Sequence, residues 1–147
     1  MKKIAATALI ATLAFSHIAF AQSDAISARQ KLMKGIGDEM KTLGGMAQGK
    51  IEYDATKAAA AAKVISENAR EFPTLFPDDS MTGNKTEALP IIWEKKDDFT
   101  QKAEKLSADA ATLADASAGG LDAFKPAFGA MAENCKSCHE TYRAKTQ

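Results

Sequence analysis

The residues that most constrain this chain are Cys135-Lys136-Ser137-Cys138-His139, which end eight positions before Gln147. Two thiols three positions apart, with a histidine directly after the second, form the pattern by which a haem is attached covalently. Each cysteine adds across one vinyl group to make a thioether, and the histidine is then held beneath the iron as an axial ligand. Two other readings compete. A Cys-x-x-Cys pair can serve as a thioredoxin-like dithiol, but that chemistry belongs in a βαβ setting, and no strand pattern is present. A plain disulfide on consecutive turns of one helix would close a tiny loop and add little constraint. Neither accounts for the histidine.

The chain opens Met1-Lys2-Lys3, continues with an apolar run from Ile4 to Phe20, and reaches the small-residue site Ala19-Phe20-Ala21. This order of charged, apolar and cleavage regions predicts a secretory signal peptide over 1–21 and one domain over 22–147. Ser16 and His17 interrupt the apolar run, which argues against a retained membrane anchor. Export fits covalent haem attachment, which takes place outside the cytoplasm, so a periplasmic location is expected. Cleavage also removes His17, Lys2 and Lys3. His139 is then the only histidine, excluding bis-histidine ligation and a histidine-rich metal site. Charge is near balance, without the clustered positive field that nucleic-acid binding requires.

Four segments carry apolar residues at alternating spacings of three and four. The first spans 24–47, with Ser23 or Asp24 as N-cap and a stripe of Ile26, Arg29, Met33, Ile36, Met40, Leu43 and Ala47. Arg29 is out of character there; it reads as a snorkelling surface arginine or as a partner for a haem propionate. The second runs from Ala55 to Phe72, capped by Asp54, with Ala58, Ala61, Ile65 and Phe72 inward; its small alanines would let a neighbouring helix approach closely. Pro73 ends it, and residues 73–89 form a long connection in which Leu75 and Phe76 should pack against the domain. Met81 sits in that connection, where an exposed loop holds a metal ligand poorly. A third helix is predicted from Pro90 to about Ser117, with Ile92, Lys96, Phe99, Ala103, Leu106, Ala110 and Leu113 inward. Trp93 stands beside this stripe, its indole N–H facing water or an acceptor. The fourth follows Gly119-Gly120, is capped by Asp122, and carries Phe124, Phe128, Met131, Cys135, Cys138 and Tyr142 on one face. Pro126 near its start should make it begin irregularly.

Four such segments predict an all-α, antiparallel four-helix bundle enclosing a covalently attached haem. The end of the fourth helix then lies beside the start of the first, so Met33 and His139 stand at similar heights. Met40 and Met46 are lower by about 10 and 20 Å at 1.5 Å per residue. Met131 shares the fourth helix with Cys135. Met33 is therefore the residue placed opposite His139, as a ligand or as the core filler that methionines at helical spacing usually are.

With these features the sequence resembles the class II c-type cytochromes, the family of cytochrome c′ and its low-spin relatives. Arg29-Gln30-Lys31-Leu32-Met33-Lys34, Pro73-Thr74-Leu75-Phe76-Pro77, Ile92-Trp93 and Cys135 to Arg143 carry the resemblance. It implies one haem c on Cys135 and Cys138, His139 as fifth ligand, Arg143 near the proximal haem face and Arg29 near the propionates. Met33 falls on the distal position, where the family varies between a bonded methionine and a side chain that only covers the iron. The Gln-Lys-Leu-Met-Lys run and the Leu-Phe-Pro loop look more like the low-spin group. The expected function is a periplasmic one-electron carrier with His139/Met33 ligation, serving an unidentified redox partner protein. The alternative is a five-coordinate protein that binds nitric oxide or carbon monoxide. No acid, base or nucleophile constellation indicates an enzyme, and a peroxidase would lack its distal histidine. Dimerisation is common in the family, so a homodimer is a further expectation.

Overall fold

The computed structural model describes residues 15–145. Most of the expected leader, residues 1–14, lies outside the described residues. Helices α1 (Phe15–Ala47), α2 (Ala55–Glu71), α4 (Lys96–Ala116) and α5 (Gly120–Tyr142) form the antiparallel bundle, and α3 is a single turn, Ile91–Glu94. Around the bundle α1 packs on α2, α2 on α4 and α4 on α5, while α5 and α1 meet over a much smaller stretch. That sparse seam positions the site.

The expected N-cap at Ser23 or Asp24 is not present, because α1 begins earlier and runs straight through both residues. A polar residue caps a helix only where the preceding chain is non-helical, and no glycine or proline between Phe15 and Lys34 interrupts the segment. In α2 the cap is as expected: the Asp54 carboxylate accepts from Lys57 N–H at 2.9 Å. Ala58, Ala62 and Ile65 of α2 and Ala110 and Leu113 of α4 are all fully buried, so the methyl-lined face of α2 seats directly on its neighbour.

The third predicted helix is two. Lys95 leaves helical geometry (φ −126°, ψ 46°), separating α3 from α4. The offset lets Ile92 and Phe99 both bury in a second cluster with Phe76 and Tyr142. It also turns Lys96 out of the expected inward stripe and onto the surface, where it pairs with Asp78 at 2.5 Å. Trp93 Nε1 donates to the Pro77 carbonyl at 3.0 Å, fastening the connection to α3.

Asp122 does not cap the last helix. Gly120, at φ 77°, turns the chain out of the tight turn Ser117–Gly119, and Asp122 lies in the first turn of α5, where negative charge suits the positive end of the helix dipole. Pro126 is the seventh residue of a continuous α5. It leaves the Asp122 carbonyl without its helical donor, and both residues face solvent, which can supply one. The face of α5 is otherwise as read, with Phe124, Met131 and Tyr142 buried and Phe128, Cys135 and Cys138 half-buried.

Candidate haem site

A cavity of about 650 Å³ opens along the seam between α1 and α5. Its α5 wall carries Cys135, Cys138, His139 and Tyr142, with Arg143 just past the helix end, its α1 wall Arg29, Gln30, Met33, Lys34, Ile36, Gly37 and Met40, and Phe99, Lys102, Ala103 and Leu106 line it from α4. Residues Lys85 to Ala88 of the long connection border it as well. The heptad-like stripe of α5 aims both cysteines and Tyr142 at the seam. His139 follows Cys138 around the helix, so its imidazole is shared between cavity and solvent.

No disulfide joins Cys135 to Cys138, and both side chains are half-buried. Before any thioether forms, burial raises both thiols, Cys138 to about 11, which favours their neutral form. A redox-active dithiol instead needs a lowered pKa, so the environment disfavours the thioredoxin-like reading. Burial, reinforced by the Arg143 guanidinium and opposed by Glu87, holds His139 below the ordinary imidazole value. A neutral imidazole is the form that ligates metal.

Arg29 is 3 % exposed, which rules out the snorkelling reading. Nη1 donates to Ser80 Oγ at 2.9 Å and to the Leu75 carbonyl at 3.3 Å. Nη2 donates to the Ser80 carbonyl at 2.9 Å and to Thr86 Oγ1 at 2.8 Å. The guanidinium also lies 4.5 Å over the Phe76 ring. Every one of these partners is uncharged, and burial holds the guanidinium below its usual value. Buried cations are ordinarily paired with an anion. A ligand bearing carboxylates would supply one, as a haem does. Arg143 lies at the cavity mouth, half-exposed, with Nε 2.6 Å from Glu87 Oε2.

The cavity thus brings together all six residues singled out from the sequence: Arg29, Met33, Cys135, Cys138, His139 and Arg143. Met40 joins Met33 on the same wall, whereas Met46 and Met131 are buried in the core and Met81 is exposed. Several participants carried no sequence signal. Ser80, Thr86 and Glu87 are unremarkable residues of a polar loop, and only the fold brings them to Arg29 and Arg143. Asn134, whose Nδ2 donates to Asp109 Oδ2 at 2.7 Å, occupies a helix position next to Cys135 that no pattern marks. Tyr142, one turn after Cys138, donates its hydroxyl to Asp98.

A family model described as Cytochrome C′ matches residues 24–143. The chain belongs to the cytochrome c′ family. It is 38 % identical to cytochrome c′ of Rhodopseudomonas palustris over 130 residues, covering 88 % of each chain. It is 39 % identical to cytochrome c-556 of Agrobacterium tumefaciens strain II Chrys, over 82 % of this chain and 97 % of that one. The nitric oxide complex of a point mutant of cytochrome c prime from Alcaligenes xylosoxidans superposes with a TM-score of 0.75 at 28 % identity, covering 84 % of this chain and 97 % of that one. As a member of the cytochrome c′ family the protein is a class II c-type cytochrome with one covalently attached haem c. The cavity fits that group: paired thiols and an imidazole on one wall, apolar surroundings, a buried cation without an anion, and a volume in the range of cofactor sites.

Proposed function

We propose that the protein binds a small neutral gas, nitric oxide or carbon monoxide, at a haem iron whose fifth ligand is His139, on the side covered by Met33. In this reading Cys135 and Cys138 form the thioethers, Arg29 faces the acidic edge of the haem, and Arg143 stands near its proximal side. The observation that carries it is the character of the α1 wall. Arg29, Gln30 and Lys34 also border the cavity from this helix, but Met33, Ile36, Gly37 and Met40 form a stretch of it with no hydrogen-bonding or titrating side chain, a surface suited to an uncharged diatomic ligand. The nitric oxide complex among the structural relatives supports the same reading. It is preferred here over the electron carrier expected from the sequence.

Haem c supplies a one-electron ferric/ferrous couple and, when five-coordinate, an open position on iron. The protein's part is to hold, shield and charge-balance that group. Met33, Ile36, Met40 and Phe99 give that group apolar surroundings, the neutral His139 offers a lone pair, and Arg29 offers its charge. The proposed role is binding rather than turnover.

The electron-carrier reading keeps one specific observation in its favour: Met33, whose thioether is a type of ligand that haem iron accepts, lines the cavity on the wall across the seam from α5. A redox partner protein belongs to this second reading. Under both readings we propose a periplasmic location after loss of residues 1–21, and self-association as a homodimer. Among the described residues no helix is long and apolar enough to cross a membrane.

An absorption spectrum of the ferrous protein with and without carbon monoxide tests the assignment. High-spin iron that binds the gas promptly is the expected result. A low-spin spectrum unchanged by carbon monoxide would replace it with the electron carrier.

A further inference from the structure

The segment from Ser80 to Leu89 joins the two walls of the cavity. On the α1 side it receives three of the Arg29 hydrogen bonds, at Ser80 Oγ, the Ser80 carbonyl and Thr86 Oγ1, and Gln30 Nε2 donates to the Asn84 carbonyl at 3.1 Å. On the α5 side Leu89 N–H donates to the Tyr142 carbonyl at 3.0 Å, and Ala144 N–H donates to the Glu87 carbonyl at 2.8 Å. Ala88 and Arg143 form an isolated antiparallel bridge, and the Glu87 carboxylate holds Arg143 Nε at 2.6 Å. Arg29 stands one turn before Met33, and Arg143 one turn after His139. Where α1 and α5 meet only sparingly, this segment is the tie between them.

Its backbone holds one residue in an unfavourable conformation. Gly83 has φ 106°, and Asn84 and Lys85 follow at 43° and 53°. Thr86 N–H closes the turn on the Gly83 carbonyl at 2.9 Å. Asparagine tolerates that region, but lysine is unfavourable there, and such strain persists only where the surroundings over-determine it.

We propose that Ser80–Leu89 is a clamp and that Thr86 and Glu87 are its positioning residues, setting how near the Met33 wall stands to His139 and so how fast a small ligand enters. The proposal rests on the haem reading above, in either of its forms. Loosening the clamp speeds entry whether Met33 crowds the iron or bonds to it.

Carbon monoxide association is measured by stopped flow on the ferrous holoprotein, and amide hydrogen exchange is followed at Leu89 and Ala144. Thr86→Val removes the hydroxyl anchor of a charged donor and is expected to raise the association rate roughly five- to tenfold. Glu87→Gln breaks a half-exposed ion pair and should raise it about twofold. Both should accelerate exchange at the two amides, and Thr86→Ser should restore both readouts. Ser66→Ala is the control: it breaks the Ser66–Ser107 pair between α2 and α4, away from the cavity, and should lower stability without changing the rate. If Thr86→Val does not fold, Glu87→Gln and wild type at raised salt carry the test, since carbon monoxide is neutral and screening acts only on the protein. Haem-loaded variants with wild-type rates would overturn the clamp alone. A wild type without covalent haem would overturn the haem reading as well.

Discussion

Replacing Arg29 by methionine keeps a long unbranched side chain but deletes the charge and the fork of donors. The four hydrogen bonds at 2.8–3.3 Å do not contribute equally. Ser80 Oγ still donates to the Pro77 carbonyl, and Thr86 Oγ1 still accepts from Ala88 N–H. The buried Ser80 carbonyl loses its Arg29 donor, which costs about 1–3 kcal/mol, and each of the other bonds about 1 kcal/mol. The contact over Phe76 adds roughly 1–2 kcal/mol. Against this, removing a buried cation whose protein partners are all neutral relieves a desolvation cost of up to several kcal/mol, reduced by whatever the acidic edge of the haem offsets. The expected net loss is about 2–4 kcal/mol, which lowers Tm by roughly 8–15 °C for a domain this size. Urea unfolding of the holoprotein, followed by circular dichroism, checks it, with the midpoint falling at unchanged slope. Arg29→Lys should recover less than half, because one ammonium cannot reach both Ser80 and Thr86 in the same geometry. A loss below about 0.5 kcal/mol, or a gain, would show that the cation is a net liability and that its bonds to the loop contribute little.

Met33→Ala should admit carbon monoxide faster than wild type, and should convert any low-spin wild-type iron to high-spin; an unchanged spectrum and rate would remove Met33 from the distal position. Cys135→Ala and Cys138→Ala should each leave haem held by a single thioether, visible as a shifted pyridine haemochrome band, and the double variant should release its haem to acidified organic solvent. Tyr142, buried and donating to the Asp98 carboxylate, has its hydroxyl pushed up to about 12 from 10.0. A group raised in the folded state contributes stability that is full below pH 10 and lost as the pH climbs toward 12. Tyr142→Phe should therefore flatten the alkaline limb of the stability profile between those values, measured by denaturant titration at each pH.

The inward faces were legible because burial in a bundle follows the 3.6-residue period: Ile26, Ile36, Leu43, Ile65, Phe99, Leu113, Phe124 and Tyr142 are all buried. The boundaries were less so. Asp24 and Asp122 carry the side chains of helix caps, yet whether a cap is used depends on the conformation of the chain before it. The break at Lys95 follows from the joint demand of Ile92 and Phe99 for the Phe76 cluster, a contact between distant segments that no local periodicity encodes.

What the amino-acid sequence determined by itself was the covalent chemistry and the helical faces. A Cys-x-x-Cys-His run states its cofactor through residue identity and spacing, and stripes of apolar side chains state which side of each helix is dry. Only the tertiary structure decided the surroundings of Arg29. The same residue on the same stripe could have reached water, but the fold covers it with Ser80 and Thr86, which lie more than fifty positions away. It becomes a buried cation bonded only to neutral groups at the edge of the cavity. Such an environment is a property of what packs over a side chain, and local sequence does not specify that.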